Sequence, residues 1–318
     1  MSALGSPILT EHTTSLEVLL QCPRCRANLV YLGCTVCGFQ MNIHLGIVHA
    51  LPPERVAHYI EFMTDYARIR AAEGRGSEGP EFYLGLPYKD ATGSNSRQWY
   101  IRARSYDYLT TQILKQTAPN PGGKILDLGA GNCWMSYRLA LAGYSPVAVD
   151  LLDNDRDGLG AGSHFNDQLP SLFPRFQAEL TRLPFQNEQF DAAIFNASFH
   201  YSEHYESTLR EALRCVKHGG LVIVSDTPWY AREESGRQMV LERQALFAKH
   251  YGTASDSIKS LEYLTAERLR SLEEQLSIRW DTYSPWYGFK WVMRPLMAKL
   301  RGKREPSRFR IYVARKGA

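Results

Sequence analysis

From Gly123 to the C-terminus, short apolar runs alternate with longer segments of helical spacing. Ile125-Leu126-Asp127-Leu128, Val147-Ala148-Val149-Asp150, Arg175-Phe176-Gln177, Ala192-Ala193-Ile194-Phe195 and Leu221-Val222-Ile223-Val224 read as buried strands, with helices at 135–142 and 206–216 between them. Such alternation implies an α/β protein with a doubly wound, mostly parallel sheet covered by helices on both faces. Ligands of these sheets bind beyond the carboxyl ends of the strands, near the switch in strand order. Two further helices, at 233–250 and 265–275, predict a helical insertion at about 230–276 before a last strand at 309–313.

Upstream, Val56, Tyr59, Ile60, Met63, Ala67 and Ile69 recur at nearly helical spacing and predict a helix over 54–72; a second is expected over 98–115. A Gly/Ser/Glu linker at 74–79 and a polar loop at 89–96 separate them, and the first ten residues read as frayed. Trp99, Tyr100, Tyr106 and Tyr108 read either as core or as a lid over a ligand. The expected organisation is an N-terminal unit at 1–53, a helical cap at 54–105 and the α/β domain at 106–318.

Composition narrows the class. The chain has 318 residues, 44% apolar and 22% charged, which excludes a disordered or collagenous protein. No run approaches the roughly 18 apolar residues of a membrane span, and a secretion signal is not evident, so a cytoplasmic location is expected. The net charge of +4 is unevenly spread: residues 285–318 hold ten Lys or Arg against Glu305 alone, a net +9, while the remainder holds 27 basic and 32 acidic residues, a net −5. A basic end on an acidic body can meet RNA, an acidic substrate or a membrane surface, or be a solvated face.

Cys22, Cys25, Cys34 and Cys37 are spaced C-x2-C-x8-C-x2-C. Two CxxC turns joined by a hairpin aim four thiolates at one point, the arrangement of a tetrahedral structural zinc ribbon. Disulfides are the competing reading, disfavoured in a reducing compartment. His44 and His49 are expected to be ordinary strand residues, because four thiolates complete the shell.

The first strand runs into Asp127-Leu128-Gly129-Ala130-Gly131-Asn132-Cys133 and then a helix. Glycines there permit a tight turn and close approach to a ligand, beside free amides at the helix start. The second strand ends in Asp150, nineteen residues after Gly131, where a carboxylate can accept from two ribose hydroxyls. Trp134 occupies the place of the third small residue of a dinucleotide fingerprint, which disfavours a nicotinamide cofactor. Asp127 would repel a pyrophosphate but can orient a cationic amino-acid group.

The segments ILDLGAGNCW, VAVD, AELTRLPF, FDAAIFN and LREALRCVKHGGLVIV, in this order over about 106–318, resemble the successive motifs of class I S-adenosylmethionine-dependent methyltransferases, methyltransferase type 11-like. The resemblance implies a seven-stranded sheet and S-adenosylmethionine as cofactor. It implies that Asp127, Gly129, Ala130 and Gly131 surround the methionine part and that Asp150 and Leu151 hold the ribose. Glu179 and Leu180 would sit beside the adenine, with Asn196 and Ala197 lining the cleft. Cys133 stands where the family often has a third glycine, and His218 where it has proline. The N-terminal CPRC and CTVCGF resemble the zinc ribbons fused to some methyltransferases or supplied to tRNA and release-factor methyltransferases by an activator subunit.

Catalytic residues vary with acceptor in this family, so candidates come from position: His200 and Tyr201 after the fourth strand, Asp226 and Tyr230 after the fifth. By intrinsic pKa His200 is the best base among them. Asn196 is not followed by the Pro-Pro-aromatic signature of methyltransferases acting on planar nitrogens. A small-molecule acceptor is the leading expectation, with RNA or protein guided by the ribbon as alternatives and a non-catalytic cofactor-binding scaffold as the contrary class. The stretch Trp286-Tyr287-Gly288-Phe289-Lys290-Trp291 to Arg304 can bind nucleic acid by stacking and phosphate contact, lie on a membrane, or pack as a helical connection with buried aromatics. Packing is the leading expectation.

Overall fold

In a computed structural model of the chain, residues 18–77, 79–115 and 122–317 are described; the frayed start expected from the sequence lies outside them. Nine strands, β1 (Asn42–His44), β2 (Ile47–His49), β3 (Lys124–Leu128), β4 (Ser145–Asp150), β5 (Arg175–Gln177), β6 (Phe190–Asn196), β7 (Val216–Ser225), β8 (Trp280–Tyr283) and β9 (Ile311–Arg315), form one sheet. Their spatial order is β1-β2-β5-β4-β3-β6-β7-β9-β8. Strands β5, β4, β3, β6 and β7 are parallel, and β9 enters antiparallel between β7 and β8. The order reverses at β3, between β4 and β6, which opens the cleft above it.

The seven expected strands are therefore extended by two from the N-terminal segment. Strand β2 runs parallel to β5, Val48 opposite Phe176, and β1 closes the edge as a hairpin. An open β5 would leave a row of unpaired backbone groups; the hairpin satisfies them. Cys22, Cys34, Phe39 and Met41 then share a core cluster with Phe176 and Phe185, so the cysteine-bearing segment packs on the sheet.

Strand residues alternate between two buried layers. Leu126, Leu128, Val147 and Val149 face helices α5 (Tyr205–Cys215) and α7 (Ala266–Leu276), whereas Ile125, Ala148, Ile194 and Ile223 face α3 (Ser96–Tyr108) and α4 (Trp134–Leu141). A smaller cluster joins Tyr59 and Phe62 of α1 (Pro53–Ala72) to Leu51 and Ile258, and holds α1 across the open end of the sheet. Pro53 at the first turn suits the start of α1, since its missing N–H has no helical partner there. Helix α6 (Glu233–Tyr251) stands beside it, within the expected insertion.

The sequence runs did not place α2 (Pro80–Gly85), the 3-10 turns at Leu159–Gln168 and Phe199–Tyr201, or strand β8, which is the seventh strand that the resemblance implied. The expected packing of the aromatic-basic stretch holds only in part. Tyr287 is buried and shares a hydrogen bond with Ser105 at 2.8 Å, and Trp291 stacks on Phe309 with ring centres 5.5 Å apart. Trp286 and Phe289 instead remain exposed, because the short helices α8 (Phe289–Val292) and α9 (Arg294–Leu300) lie where nothing among the described residues covers them.

Candidate functional site

The loop after β3 supplies the cleft floor. Gly129 has φ +76°, and a Cβ there would lie 2.2 Å from the Ser198 Cβ; only glycine lets the loops after β3 and β6 approach so closely. Gly131 is also left-handed, and so is Cys133, at φ 63°, the position where the family often has glycine. The Gly131 N–H donates to Asp150 Oδ2 at 2.8 Å and the Leu152 N–H to its Oδ1 at 2.9 Å. Ser136 Oγ donates to Asp127 Oδ2 at 2.7 Å. Burial outweighs these bonds and pushes Asp127 up to about 7 and Asp150 up to about 6.

Three connected cavities occupy the open end of the sheet. The first, about 80 Å³, is walled by Gly129, Gly131, Asp150, Leu151, Leu180 and Ala197, with Phe62 and Tyr66 of α1 opposite. The second, about 50 Å³, continues past Asp127, Ala130 and Asn196 to Arg75 and Arg102. The third, about 160 Å³, lies between α1 and α6 and shares Phe62, Tyr66 and Tyr201 with the first. An anionic carboxylate at one end, apolar walls and two guanidinium groups at the other match a ligand with ribose, adenine and an α-carboxylate. Arg102 makes no hydrogen bond among the described residues; burial, then Arg75 and Arg70, pull it down to about 10, so it stays charged.

Glu179 stands apart from the cleft it was expected to line. Its carboxylate is buried under α1, where Arg55 Nη2 donates at 2.7 Å, Arg55 Nε at 3.0 Å and the Tyr59 hydroxyl at 3.2 Å. Leu180 does line the first cavity.

Of the four catalytic candidates, the structure brings His200 and Tyr201 to the third cavity and leaves Asp226 and Tyr230 outside all three. Asp226 accepts from Ser105 Oγ at 2.5 Å, and the Tyr230 hydroxyl accepts from Arg304 at 3.3 Å. At His200 burial, then Arg70, Arg102 and Arg243, pull the pKa down to about 3, well below the intrinsic value, and Nδ1 is buried without a partner. The Tyr201 hydroxyl accepts from Arg70 at 3.1 Å. The remaining cavity charges are paired, Arg70 with Glu73 at 3.1 Å and Arg243 with Glu262 at 2.6 Å, between apolar walls of Ile69, Met239 and Phe247.

Sequence reasoning missed Phe62, Tyr66, Arg70, Arg75 and Arg102 as site residues. On the sequence Phe62, Tyr66, Arg70 and Arg102 fall in ordinary helices and Arg75 in the linker at 74–79, and only tertiary packing turns them over the cleft; the one signal was the expected cap at 54–105.

The four thiols converge. Their Sγ atoms all lie within 4.8 Å of one another, with Cys22 to Cys37 at 3.6 Å and Cys25 to Cys34 at 3.4 Å. A tetrahedron with zinc–sulfur bonds of about 2.3 Å has edges near 3.8 Å, whereas a disulfide needs about 2.05 Å, so the donor set fits a metal and not two bridges. Two equivalent turns create it. Cys22 and Cys34 each receive on their carbonyl the N–H four residues on, from left-handed Arg26 and Gly38, at 2.8 and 2.9 Å, and donate to Ala27 and Phe39 at 2.8 Å. His44 and His49 are in β1 and β2.

Residues 126–224 match the family model described as a methyltransferase domain. The chain is 28% identical over 174 residues to demethylmenaquinone methyltransferase of Mycobacterium bovis, covering 54% of this chain and 69% of that protein. It is 30% identical over 111 residues to the uncharacterized methyltransferase YodH of Bacillus subtilis, 35% of this chain and 46% of that one. A solved structure, magnesium protoporphyrin IX methyltransferase from Synechocystis with bound SAH, is similar over 83% of this chain and 100% of its own, with a TM-score of 0.49 and 14% identity. The matched domain, the motif order and the relatives in sequence support a methyltransferase. The chain is an S-adenosylmethionine-dependent enzyme of that class.

Proposed function

We propose that the chain methylates a small molecule with a largely apolar body, bound in the cavity between α1 and α6. The observation carrying this reading is that cavity itself: about 160 Å³, apolar on most walls, with its charges internally paired, and joined to the cofactor cleft through Phe62, Tyr66 and Tyr201. Its size suits a small acceptor better than a polymer chain. The similarity to a demethylmenaquinone methyltransferase supports an apolar acceptor.

S-adenosylmethionine, when bound, supplies an electrophilic methyl group on a sulfonium. Asp150 would accept from its ribose hydroxyls, Leu151 and Leu180 would pack its adenine, and Arg75 and Arg102 would take its carboxylate while Asp127 orients its ammonium. Gly129, Gly131, Asn196 and Ala197 allow the close approach. Glu179, engaged by Arg55, supports α1 instead of touching the adenine. Phe62 and Tyr66 exclude water from the junction, where Tyr201, fixed by Arg70, would position the acceptor.

Among the described residues the cavity carboxylates Glu73 and Glu262 are held by arginines, and His200, pulled down to about 3, is neutral and only weakly basic. Such surroundings favour an acceptor that is nucleophilic by itself, as a carbon, a sulfur, an unprotonated amine or an ionised oxygen. With its proton on Nε2, His200 leaves a lone pair instead of an orphaned donor at buried Nδ1, and Nε2–H can hold an acceptor oxygen. The four cysteines would bind one structural zinc ion that stiffens the segment capping β5.

The test fills the cavity. Met239→Trp should lower turnover of the dialysable small-molecule fraction of a cell extract by at least about tenfold, leaving the donor Kd unchanged within about twofold. Unchanged turnover in that variant would overturn the assignment of this cavity.

A further inference from the structure

The C-terminal stretch carries an apolar row that neither the sheet nor the cleft uses. Phe289, Val292, Leu296 and Leu300, 70%, 53%, 50% and 72% exposed, recur at three- and four-residue intervals along α8 and α9, with Trp286 just ahead and Met297 beside them. Scattered exposed apolar side chains are ordinary, but a contiguous row of this kind marks an interaction surface. Lys290, Lys299, Arg301 and Lys303 flank the row, all exposed. From 285 to 310 the ion pairs among the described residues are those of Arg304 with Glu242 and Arg308 with Glu305; Lys290, Lys299 and Arg301 face no carboxylate partner, and Lys303 acts on Glu242 only at longer range.

We propose that this segment docks the chain on an anionic phospholipid bilayer, with the apolar row between the headgroups and the four cations among the phosphates. Charge complementarity selects the partner: residues 285–310 hold eight Lys or Arg against Glu305 alone, a net +7, in a chain whose first 284 residues are net −5. A second copy would bring like charge against like charge. Single-stranded RNA would use aromatic stacking and cations, but Val292, Leu296, Met297 and Leu300 have no ring to stack. Beside the row, a groove of about 410 Å³ is lined by Trp286, Trp291, Arg294, Arg308 and Arg310, and Arg308 Nε is buried without a partner; these groups suit a headgroup phosphate.

No helix among the described residues is long and apolar enough to cross a membrane, so the attachment is peripheral. Arg304 Nε donates to Glu242 on α6 at 2.6 Å, and α6 walls the acceptor cavity through Met239, Arg243 and Phe247. Delivery of a bilayer-dissolved acceptor to that cavity rests on the preceding reading; the docking itself does not.

The experiment is co-sedimentation of the full chain with vesicles of phosphatidylcholine alone or mixed three to one with phosphatidylglycerol. Binding to the mixed vesicles is expected to fall with salt and to drop about fivefold for each of Lys290, Lys299, Arg301 and Lys303 changed to Gln. The pair Phe289→Ser and Leu300→Ser should also abolish it, with unchanged melting temperature and donor affinity, because both residues are exposed. No binding to mixed vesicles overturns the proposal, as does equal binding to both vesicle types. Binding that survives the Phe289 and Leu300 changes, retention of single-stranded RNA in place of vesicles, or self-association through the row would do the same. Donor calorimetry on each variant separates these failures from failure of the methyltransferase site.

Discussion

Arg55 on α1 holds Glu179 beyond β5 through Nε and Nη2, the shortest bond being 2.7 Å, with Glu179 almost wholly buried. The pair fixes the helix that roofs the cofactor cleft. Arg55→Ala leaves the buried carboxylate only Tyr59, Thr181 and the longer 3.6 Å ion pair with half-exposed Arg182, and should cost about 3 kcal/mol, the low end for a broken buried pair. Replacing both residues by Leu should recover most of that loss. Denaturant unfolding of the two variants checks it; equal losses would contradict the account. Glu179→Gln should change donor affinity by less than about threefold, since the carboxylate does not line the cleft.

Asp150 should behave otherwise. Asp150→Ala removes charge-assisted bonds worth about 1.5 to 3 kcal/mol each and should weaken donor binding at least about tenfold. Burial raises Asp150 to about 6, and only its ionised form accepts both hydroxyls. The affinity should thus fall on going below about pH 8 as Asp127, at about 7, and then Asp150, at about 6, take up protons, and Asp150→Asn should remove the part centred near pH 6. Calorimetry across pH measures both, and a wild-type affinity rising toward acid would contradict the assignment.

With saturating donor, turnover should show no limb near the ordinary histidine pKa of about 6.5, because burial and three arginines hold His200 at about 3. Steady-state rates between about pH 6 and 8 decide it. A sigmoidal loss centred near 6.5 that vanishes in His200→Gln would restore the imidazole as a base.

The purified chain should hold about one zinc ion, lost in Cys22→Ser or Cys37→Ser. Because Val48 pairs with Phe176, backbone exchange should quicken in β1 and β2 and also at β5. Elemental analysis with hydrogen exchange reports both effects. Full metal loss with unchanged exchange at β1 and β2 would contradict a structural role.

How far the sequence reached follows from the range of the interactions. The strand runs from Ile125 to Val224, the Gly129-Gly131 turn, Asp150 and the paired CxxC turns are local patterns, and each lies where its spacing placed it. Strand β2 was hidden because three residues are too few to show a period, and its partner β5 lies over a hundred residues away. The contact of Glu179 with Arg55 was not legible because Arg55 comes from a helix whose spacing says only that it is amphipathic. Tyr230 and Asp226 follow a strand as His200 follows one, but they bond Arg304 and Ser105, remote in sequence, and do not line the three cavities. The pKa of His200 likewise depends on arginines from α1, α3 and α6.

The central claim is that this cleft passes a methyl group to a small acceptor in the adjoining cavity. The most direct measurement supplies S-adenosylmethionine labelled in its methyl group to the full chain with a whole-cell extract, then separates small molecules, RNA and protein. The account predicts label in the small-molecule fraction, in an apolar product absent from reactions with Asp150→Ala and reduced with Met239→Trp. Label confined to RNA or protein, or no transfer above the Asp150→Ala background, would contradict it.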